Sequence, residues 1–363
     1  MTRMTFRALA ATLVLWVTAC SVGPDYKRPT AAIPGTFKEA KGWELAEPSD
    51  AIDRGPWWQL YADPTLASLE RQIDISNQTL KASEAAYRQA LAVVEEGRSG
   101  YLPIISLAPG TTYGQKPGIG GTASPTTQYS AAAQLDWDLD IWGRIRRTVE
   151  SDSANAQASA ADLAVARLSA QATLATDYFE LRADDEIRRL YDDTVAAYQR
   201  SLQIVNNQYA AGVVAKSDVA AAETQLQQAE AQGIDIGVQR AALEHAIALL
   251  TGKSPADLTL PPASLASVVP VPPTGLPATL LQRRPDIAEA ERKMAAANAQ
   301  IGVVEAAFFP DITLSATVSY ASPTFSQIFN ASNQAWSLAA NLSQILFDGG
   351  LRGAEMAAAE ATY

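Results

Sequence analysis

Gln128-Tyr129-Ser130-Ala131-Ala132-Ala133-Gln134-Leu135-Asp136-Trp137-Asp138-Leu139-Asp140 places Tyr, Ala, Ala, Leu, Trp and Leu at its odd positions and mostly Gln, Ser and Asp at its even ones. A period of two marks a strand with one apolar and one polar face. The same period returns in Ile312, Leu314, Ala316, Val318 and Tyr320, set against Thr313, Ser315, Thr317 and Ser319. A fourth run opposes Trp336, Leu338, Ala340 and Leu342 to Ser337, Ala339, Asn341 and Ser343, while the run from Leu102 to Tyr113 is poorer and contains Pro109. The pattern predicts strands at about 102–113, 128–140, 311–321 and 334–347.

Alternation alone fits either a half-buried soluble sheet or the wall of a membrane barrel. Strands of roughly 10 to 13 residues favour the barrel, because globular strands are usually half that length and a tilted crossing needs about ten residues. Aromatics gather toward the run ends (Tyr101, Tyr129, Trp137, Tyr320, Trp336, Phe347), where interfacial girdles sit. Four strands cannot close a barrel, and an open edge in lipid leaves backbone groups unpaired, so other copies must complete the sheet. Three copies would supply twelve strands, an even number within the known range.

The chain also repeats itself. Tyr101-Leu102-Pro103-Ile104 returns as Phe309-Pro310-Asp311-Ile312, and Leu139-Asp140-Ile141-Trp142-Gly143-Arg144 returns as Phe347-Asp348-Gly349-Gly350-Leu351-Arg352. A repeat must be recognised before a fold is assigned, because the repeating unit is what folds and packs. Between the strands lie helices of unusual length. Arg144 to Ala211 contains neither Gly nor Pro, and at 1.5 Å per residue it would reach about 100 Å. Gly212 then stops it, Ser217 or Asp218 can cap a returning helix to about Leu250, and a long helical hairpin at about 143–250 results. Further helices are predicted over Thr65–Arg98 and Asp286–Ala307.

At the N-terminus Arg3 and Arg7 precede an apolar stretch, Ala8 to Thr18, too short to span a bilayer and of the length of an export signal. It runs into Val17-Thr18-Ala19-Cys20, and Cys20 is the only cysteine. A lone cysteine directly after a small residue at the end of such a signal reads as the lipid-modified first residue of a bacterial lipoprotein, cleaved between Ala19 and Cys20 and carrying diacylglycerol and an N-acyl chain. Ser21 follows it in place of an Asp, which points to the outer membrane.

Of the 363 residues 48% are hydrophobic and 18% charged, and a net charge of −11 argues against nucleic acid as a partner. His245 is the only histidine and is read as a packed helix residue among Leu243, Ala246, Ile247 and Leu250, so histidine-based catalysis or zinc has almost no material. Gly252-Lys253-Ser254 lacks the context of a phosphate loop, since it ends a helix instead of opening one. Asp136, Asp138 and Asp140 are expected on one strand face, as lumen-facing carboxylates of a water-lined wall or as a cation site. No catalytic residue, metal site or enzyme activity is expected.

Several motifs resemble the outer-membrane efflux channel family, the TolC-like proteins and within them the OprM/NodT-type lipoprotein branch. They are Cys20-Ser21-Val22-Gly23-Pro24-Asp25-Tyr26, Trp57-Trp58-Gln59-Leu60-Tyr61-Ala62-Asp63-Pro64, Asp177-Tyr178-Phe179-Glu180-Leu181-Arg182, Leu280-Leu281-Gln282-Arg283-Arg284-Pro285-Asp286 and Ala297-Asn298-Ala299-Gln300-Ile301-Gly302. The resemblance implies a mainly α chain with a membrane β-sheet, a duplicated β-β-α-α unit whose long coiled-coil-like hairpins form an α-barrel, and a four-stranded share of a trimeric twelve-stranded β-barrel. It implies a homotrimer, lipid-anchored in the outer membrane with its helices in the periplasm, working with a periplasmic adaptor and an inner-membrane pump as a passive duct for drugs or other small molecules. Ducts for protein secretion or metal export, and a non-channel structural lipoprotein, are the alternatives.

The expected organisation is a signal peptide (1–19), a lipidated extended segment (20–64), a first repeat (65–252), a Pro-rich connector (253–277) and a second repeat (278–363). In the family the second copy continues into its own hairpin, so the repeat predicts a whole chain of about 458 residues, with the family's pore-constricting positions in the part beyond Tyr363. The turn Gly212-Val213-Val214 is expected at the periplasmic tip, where the resemblance implies adaptor docking. Val213 covering the last helical turn is the competing reading.

Overall fold

A computed structural model describes residues 22–27, 55–115, 125–265 and 284–363. The helices are α1 (Pro64–Ser76), α2 (Gln78–Ser99), α3 (Arg144–Ala210), α4 (Lys216–Leu250), α5 (Pro285–Ala306) and α6 (Leu351–Thr362), and the strands are β1 (Ile104–Gly114), β2 (Thr126–Asp138), β3 (Asp311–Ser322) and β4 (Gln334–Ser343). The mainly helical chain with one four-stranded antiparallel sheet agrees with the expected fold class. No described helix is long and apolar enough to cross a membrane. The proposed signal peptide, residues 20–21 and 28–54 of the extended segment that follows it, and residues 266–277 of the connector lie outside the described residues.

Two compact units share the chain. One takes in residues 22–27, Arg88–Ser159 and Glu289–Tyr363, the other 55–87, 160–265 and 284–288. The first holds the sheet, a meander in the order β1-β2-β3-β4. Its duplication is metrical: α5, β3 and α6 begin at residues 285, 311 and 351, each 207 after the starts of α2, β1 and α3 at 78, 104 and 144. Gly143 and Gly350, also 207 apart, both take positive φ (81° and 94°) where each hairpin turns into its helix. A side chain would strain that turn in either copy.

Strand limits differ from the sequence reading where local capping wins. Asp140 lies beyond β2 because its carboxylate accepts the backbone N–H groups of Ile145 (2.8 Å) and Arg146 (2.9 Å), capping α3. β4 ends at Ser343, and Leu346 and Phe347 are exposed beyond it.

The second unit is centred on an apolar cluster of Leu66, Leu69, Ile73, Leu174, Tyr178, Leu181 and Ile247. Asp63 caps α1 by accepting from Thr65 N (2.8 Å) and Leu66 N (3.0 Å), and its other oxygen accepts a hydrogen bond from the Tyr178 hydroxyl (2.6 Å). The predicted helix over Thr65–Arg98 is broken in two at Asn77, whose backbone is extended (φ −61°, ψ 122°). Its amide oxygen caps α2 by accepting from Leu80 N (2.9 Å), and its amide nitrogen donates to Leu250 O (2.8 Å), an otherwise orphaned carbonyl at the end of α4. Gly252 ends α4 at φ +66°, where an added Cβ would stand 2.3 Å from Ser76 O. The N–H of Lys253 returns to Ala248 O (2.8 Å) and that of Gly252 to Leu249 O (3.0 Å), so Gly252-Lys253-Ser254 is a helix stop.

A buried ion lattice fastens the chain after α4. Arg182 donates to Asp185 (3.0 Å) and Pro261 O (2.9 Å), and Arg240 donates to Asp185 (2.6 Å), Glu244 (2.6 Å) and Leu260 O. Deleting one partner of such a buried set would leave its neighbours unpaired, which typically costs about 3–5 kcal/mol.

Glu70 of α1 is fully buried and neither carboxylate oxygen has a hydrogen-bond partner. Burial, helped by the Asp74 carboxylate four residues on, pushes its pKa up to about 8. The unfolded chain ionises Glu70 near 4.5 whereas the folded chain holds the proton, so unfolding releases a proton across this window and raising the pH favours it. The melting temperature is expected to fall as the pH is raised from about 5 to 8, and Glu70→Leu to flatten that slope and melt higher at the alkaline end. Calorimetry or circular dichroism across this range measures both.

Candidate functional site: a two-faced sheet, its base, and the turn of the long hairpin

The strand register decides what each face of the sheet can touch. Ile105 pairs with Leu135, Leu135 with Ala316 and Ala316 with Leu338, so the apolar positions of all four strands share one face. Asp136 pairs with Ser315 and Asp138 with Thr313, which puts both on the opposite face, with Gln134, Thr317 and Asn341. Every residue of β1 and β4 is exposed, and each of these edge strands has a neighbour on one side only.

Aromatic side chains bound the apolar face at both ends. At one end Tyr129 meets Phe325 and Tyr320 meets Phe329 edge to face, both at 5.4 Å. At the other, Trp137 donates to Tyr101 O (3.0 Å), and Trp142 stacks on Phe309 (4.7 Å) while donating to Pro310 O (2.8 Å). Tyr129 and Trp137 lie eight residues apart on β2, about 27 Å along the strand. A strand tilt of about 40° reduces this to about 20 Å, close to the apolar band of a barrel wall. Ala131, Ala133 and Leu135 fill the interval.

Of the three carboxylates predicted on one strand face, Asp136 and Asp138 share the polar face but take different partners, and only Asp140 leaves the strand. Asp136 accepts from Gln134 (2.8 Å), Asp138 lies 3.5 Å from Arg144, and Asp140 is the helix cap described above. Among the described residues no cluster of His, Cys, Asp or Glu is arranged to hold a metal ion.

Beneath the sheet a short extended segment is clasped by both repeats. Val22 N donates to Trp142 O (3.1 Å). Arg147 of α3, almost completely buried, donates to Val22 O (3.2 Å), Gly23 O (2.9 Å), Asp25 (2.9 Å) and Glu150 (2.8 Å). From the second copy Asn298 of α5 donates to Pro24 O (2.8 Å). Gly23, at φ +99°, lies so near α5 that an added Cβ would stand 2.4 Å from the Cα of Gly302. Sequence reasoning quoted Gly23, Asp25, Asn298 and Gly302 but missed Arg147. Three arginines, Arg144, Arg146 and Arg147, open the helix together, and nothing local distinguishes the one that is buried. Ala19 and Cys20 lie outside the described residues.

The turn of the long hairpin obeys its sequence. Gly212 adopts φ +74°, with Val213 N returning to Gln208 O and Gly212 N to Tyr209 O, both at 2.9 Å. This closes α3 with the two-bond glycine stop. α4 then starts at Lys216 with Ala215 as its cap residue, and the Asp218 carboxylate accepts from Ala215 N (2.9 Å); Ser217 is not the cap. Val213 is 72% exposed and Val214 half-buried, so Val213 does not cover the last helical turn. His245 departs from its predicted packing as well, being exposed on α4 although Ile247 and Ala248 nearby are buried.

The sequence profile described as Outer membrane efflux protein matches residues 69–253 and 276–363. The solvent efflux pump outer membrane protein SrpC of Pseudomonas putida is 30% identical over 366 residues, covering 98% of this chain and 77% of its own length. The cation efflux system protein CusC of Escherichia coli K12 is 30% identical over 363 residues, covering 96% and 76%. The solved structure of the outer-membrane channel OprN superposes with a TM-score of 0.83 at 31% identity, over 94% of this chain and 77% of that one.

No atom lies within 4 Å of a Cβ added at Gly212, so a substitution there meets only the backbone cost of positive φ. Gly212→Ala is expected to lower stability by about 1 kcal/mol, with Val213→Asp within about 0.5 kcal/mol of the parent, both read from urea unfolding midpoints.

Proposed function

The chain belongs to the outer membrane efflux protein family, and on that premise we propose that three copies form the closed passive duct through which an efflux system discharges small molecules. Each copy is an outer-membrane efflux channel subunit. The observation that carries the proposal is a sheet with one apolar face, one polar face and two unpaired edges. In lipid those edges must find partners, and three identical sheets joined edge to edge turn the apolar face to the membrane and the polar face to a water-filled lumen. The duct needs no chemistry of its own. Relatives of equal identity are named for solvents in one case and for cations in another, so the features common to all three proteins do not select a cargo.

A periplasmic adaptor and an inner-membrane pump complete the system in this reading. The exposed Val213 at the hairpin turn is the proposed adaptor contact, an apolar side chain at a turn that would otherwise be solvated. Purified from outer membranes, the protein is expected to run as a heat-modifiable trimer and to conduct ions in planar bilayers. Val213→Asp should leave both unchanged while strongly reducing adaptor crosslinking and drug export. A protein that never conducts ends the duct reading, and unchanged crosslinking removes Val213 from the docking surface.

Lipid attachment at Cys20 is the second element of the proposal. The export-type leader that ends at Cys20 supports it. So does Val22, two residues on, whose N–H bonds to Trp142 O among the aromatics at the base of the sheet. Acyl chains on Cys20 would thus enter the membrane where the aromatic belt places its interface. Cys20→Ser is expected to abolish labelling by radioactive palmitate and processing after Ala19, and label retained by that variant would overturn the assignment.

A further inference from the structure

The internal duplication extends to the hydrogen-bonded ladders. Moving both strands of the β1–β2 ladder forward by 207 residues turns Ile104↔Asp136 into Asp311↔Ser343 and Tyr113↔Thr127 into Tyr320↔Gln334, which are the observed β3–β4 pairs. The two hairpins are therefore metrically interchangeable, strand for strand. Between them lies one joint, β2 with β3, where the second strand of a copy meets the first strand of the next copy.

The two free edges are the same two kinds of strand. β4 is the second strand of its copy and β1 the first strand of its own. An edge of each kind, left open by the same chain, is what a head-to-tail ring requires. If the ring closes by repeating the joint it already contains, the intermolecular register is fixed. We infer that β4 of one copy pairs antiparallel with β1 of the next in the register of β2 with β3 shifted by 207, so that Leu338 faces Tyr113, Ala339 faces Thr112 and Ala340 faces Thr111 of the neighbouring copy. These correspond to the observed pairs Ala131↔Tyr320, Ala132↔Ser319 and Ala133↔Val318.

Two independent features agree with this register. Leu338, Ala340 and Leu342 fall beside Tyr113, Thr111 and Pro109, so the apolar face stays continuous across the joint, whereas a slip of one residue would set Leu338 on the face of Asp136. Trp336 becomes a diagonal neighbour of Tyr113, which carries the aromatic level of Tyr129 and Tyr320 around the seam. A slip of two residues would also preserve the faces, and in one direction it would set Trp336 directly opposite Tyr113, so the repetition of the internal β2–β3 joint is what selects this register over it.

The inference rests on the oligomeric duct proposed above, and crosslinking separates the two. Ala339→Cys combined with Thr112→Cys, and Leu338→Cys combined with Tyr113→Cys, test neighbouring positions that alternate between the two kinds of antiparallel pair. Ala339→Cys with Gly110→Cys, and Ala339→Cys with Gly114→Cys, are the slipped controls. On mild oxidation of cells, at least one predicted pair should form intermolecular disulfides about tenfold more efficiently than either control, since opposed Cβ atoms lie near disulfide distance and slipped ones do not. Single-cysteine variants should form none. Crosslinks favouring a slipped pair would overturn the register, and so would a heat-stable trimer that crosslinks at neither predicted pair. A protein that forms no oligomer would overturn both the register and the duct.

Discussion

A backbone N–H or C=O placed in hydrocarbon must find its partner within the protein, and the rest of this molecule is organised around that demand. The sheet meets it internally across three ladders and leaves it unmet along β1 and β4. An isolated soluble domain would cover such edges with a helix or blunt them with charge. Among the described residues neither device is present: β1 and β4 are exposed along their whole lengths and carry Ile, Leu, Tyr and Trp. The same demand accounts for the alternation, because a wall one strand thick must satisfy lipid on one side and water on the other with the same residues.

The sheet was legible in the sequence because period two survives any tertiary context that keeps both faces distinct. The long hairpin was legible because α3 contains no residue that could stop a helix before Gly212. What escaped depends on partners remote in sequence. The apolar spacing through Leu69, Ile73 and Leu80 runs on across Asn77, and nothing local announces a break. The break exists because the end of α4, 173 residues away, offers a carbonyl to the Asn77 amide. Asp140 continues the alternation of β2 perfectly, yet two free N–H groups at the start of α3 claim its carboxylate. His245 was misread because period 3.6 says which residues share a face, not how far burial extends around the helix.

Four of the motifs that carried the family resemblance contribute to two fastenings, one in each compact unit. In one, Asp63, Tyr178, Arg182 and Asp185 hold a helix start, an apolar core and a returning extended segment with side chains that leave few polar atoms unpaired. In the other, two glycines let backbone approach backbone while Arg147 and Asn298 take up the carbonyls of Val22, Gly23 and Pro24. These residue types are required because close approach excludes Cβ atoms and burial forbids idle donors.

The second fastening has a temporal side. A polypeptide made or exported from its N-terminus presents Val22–Asp25 at the beginning, but Asn298, which holds Pro24, follows 274 residues later. Arg147 arrives earlier, 125 residues after Val22, yet it belongs to the first copy alone. The segment can therefore meet Arg147 first, but its seating is complete only when the second copy has emerged and brought Asn298 and Gly302 into place. Loop closure across such a separation comes late in any folding sequence. Seating of these four residues thus marks the moment when both copies are present and aligned, a completion check written into the order of the chain.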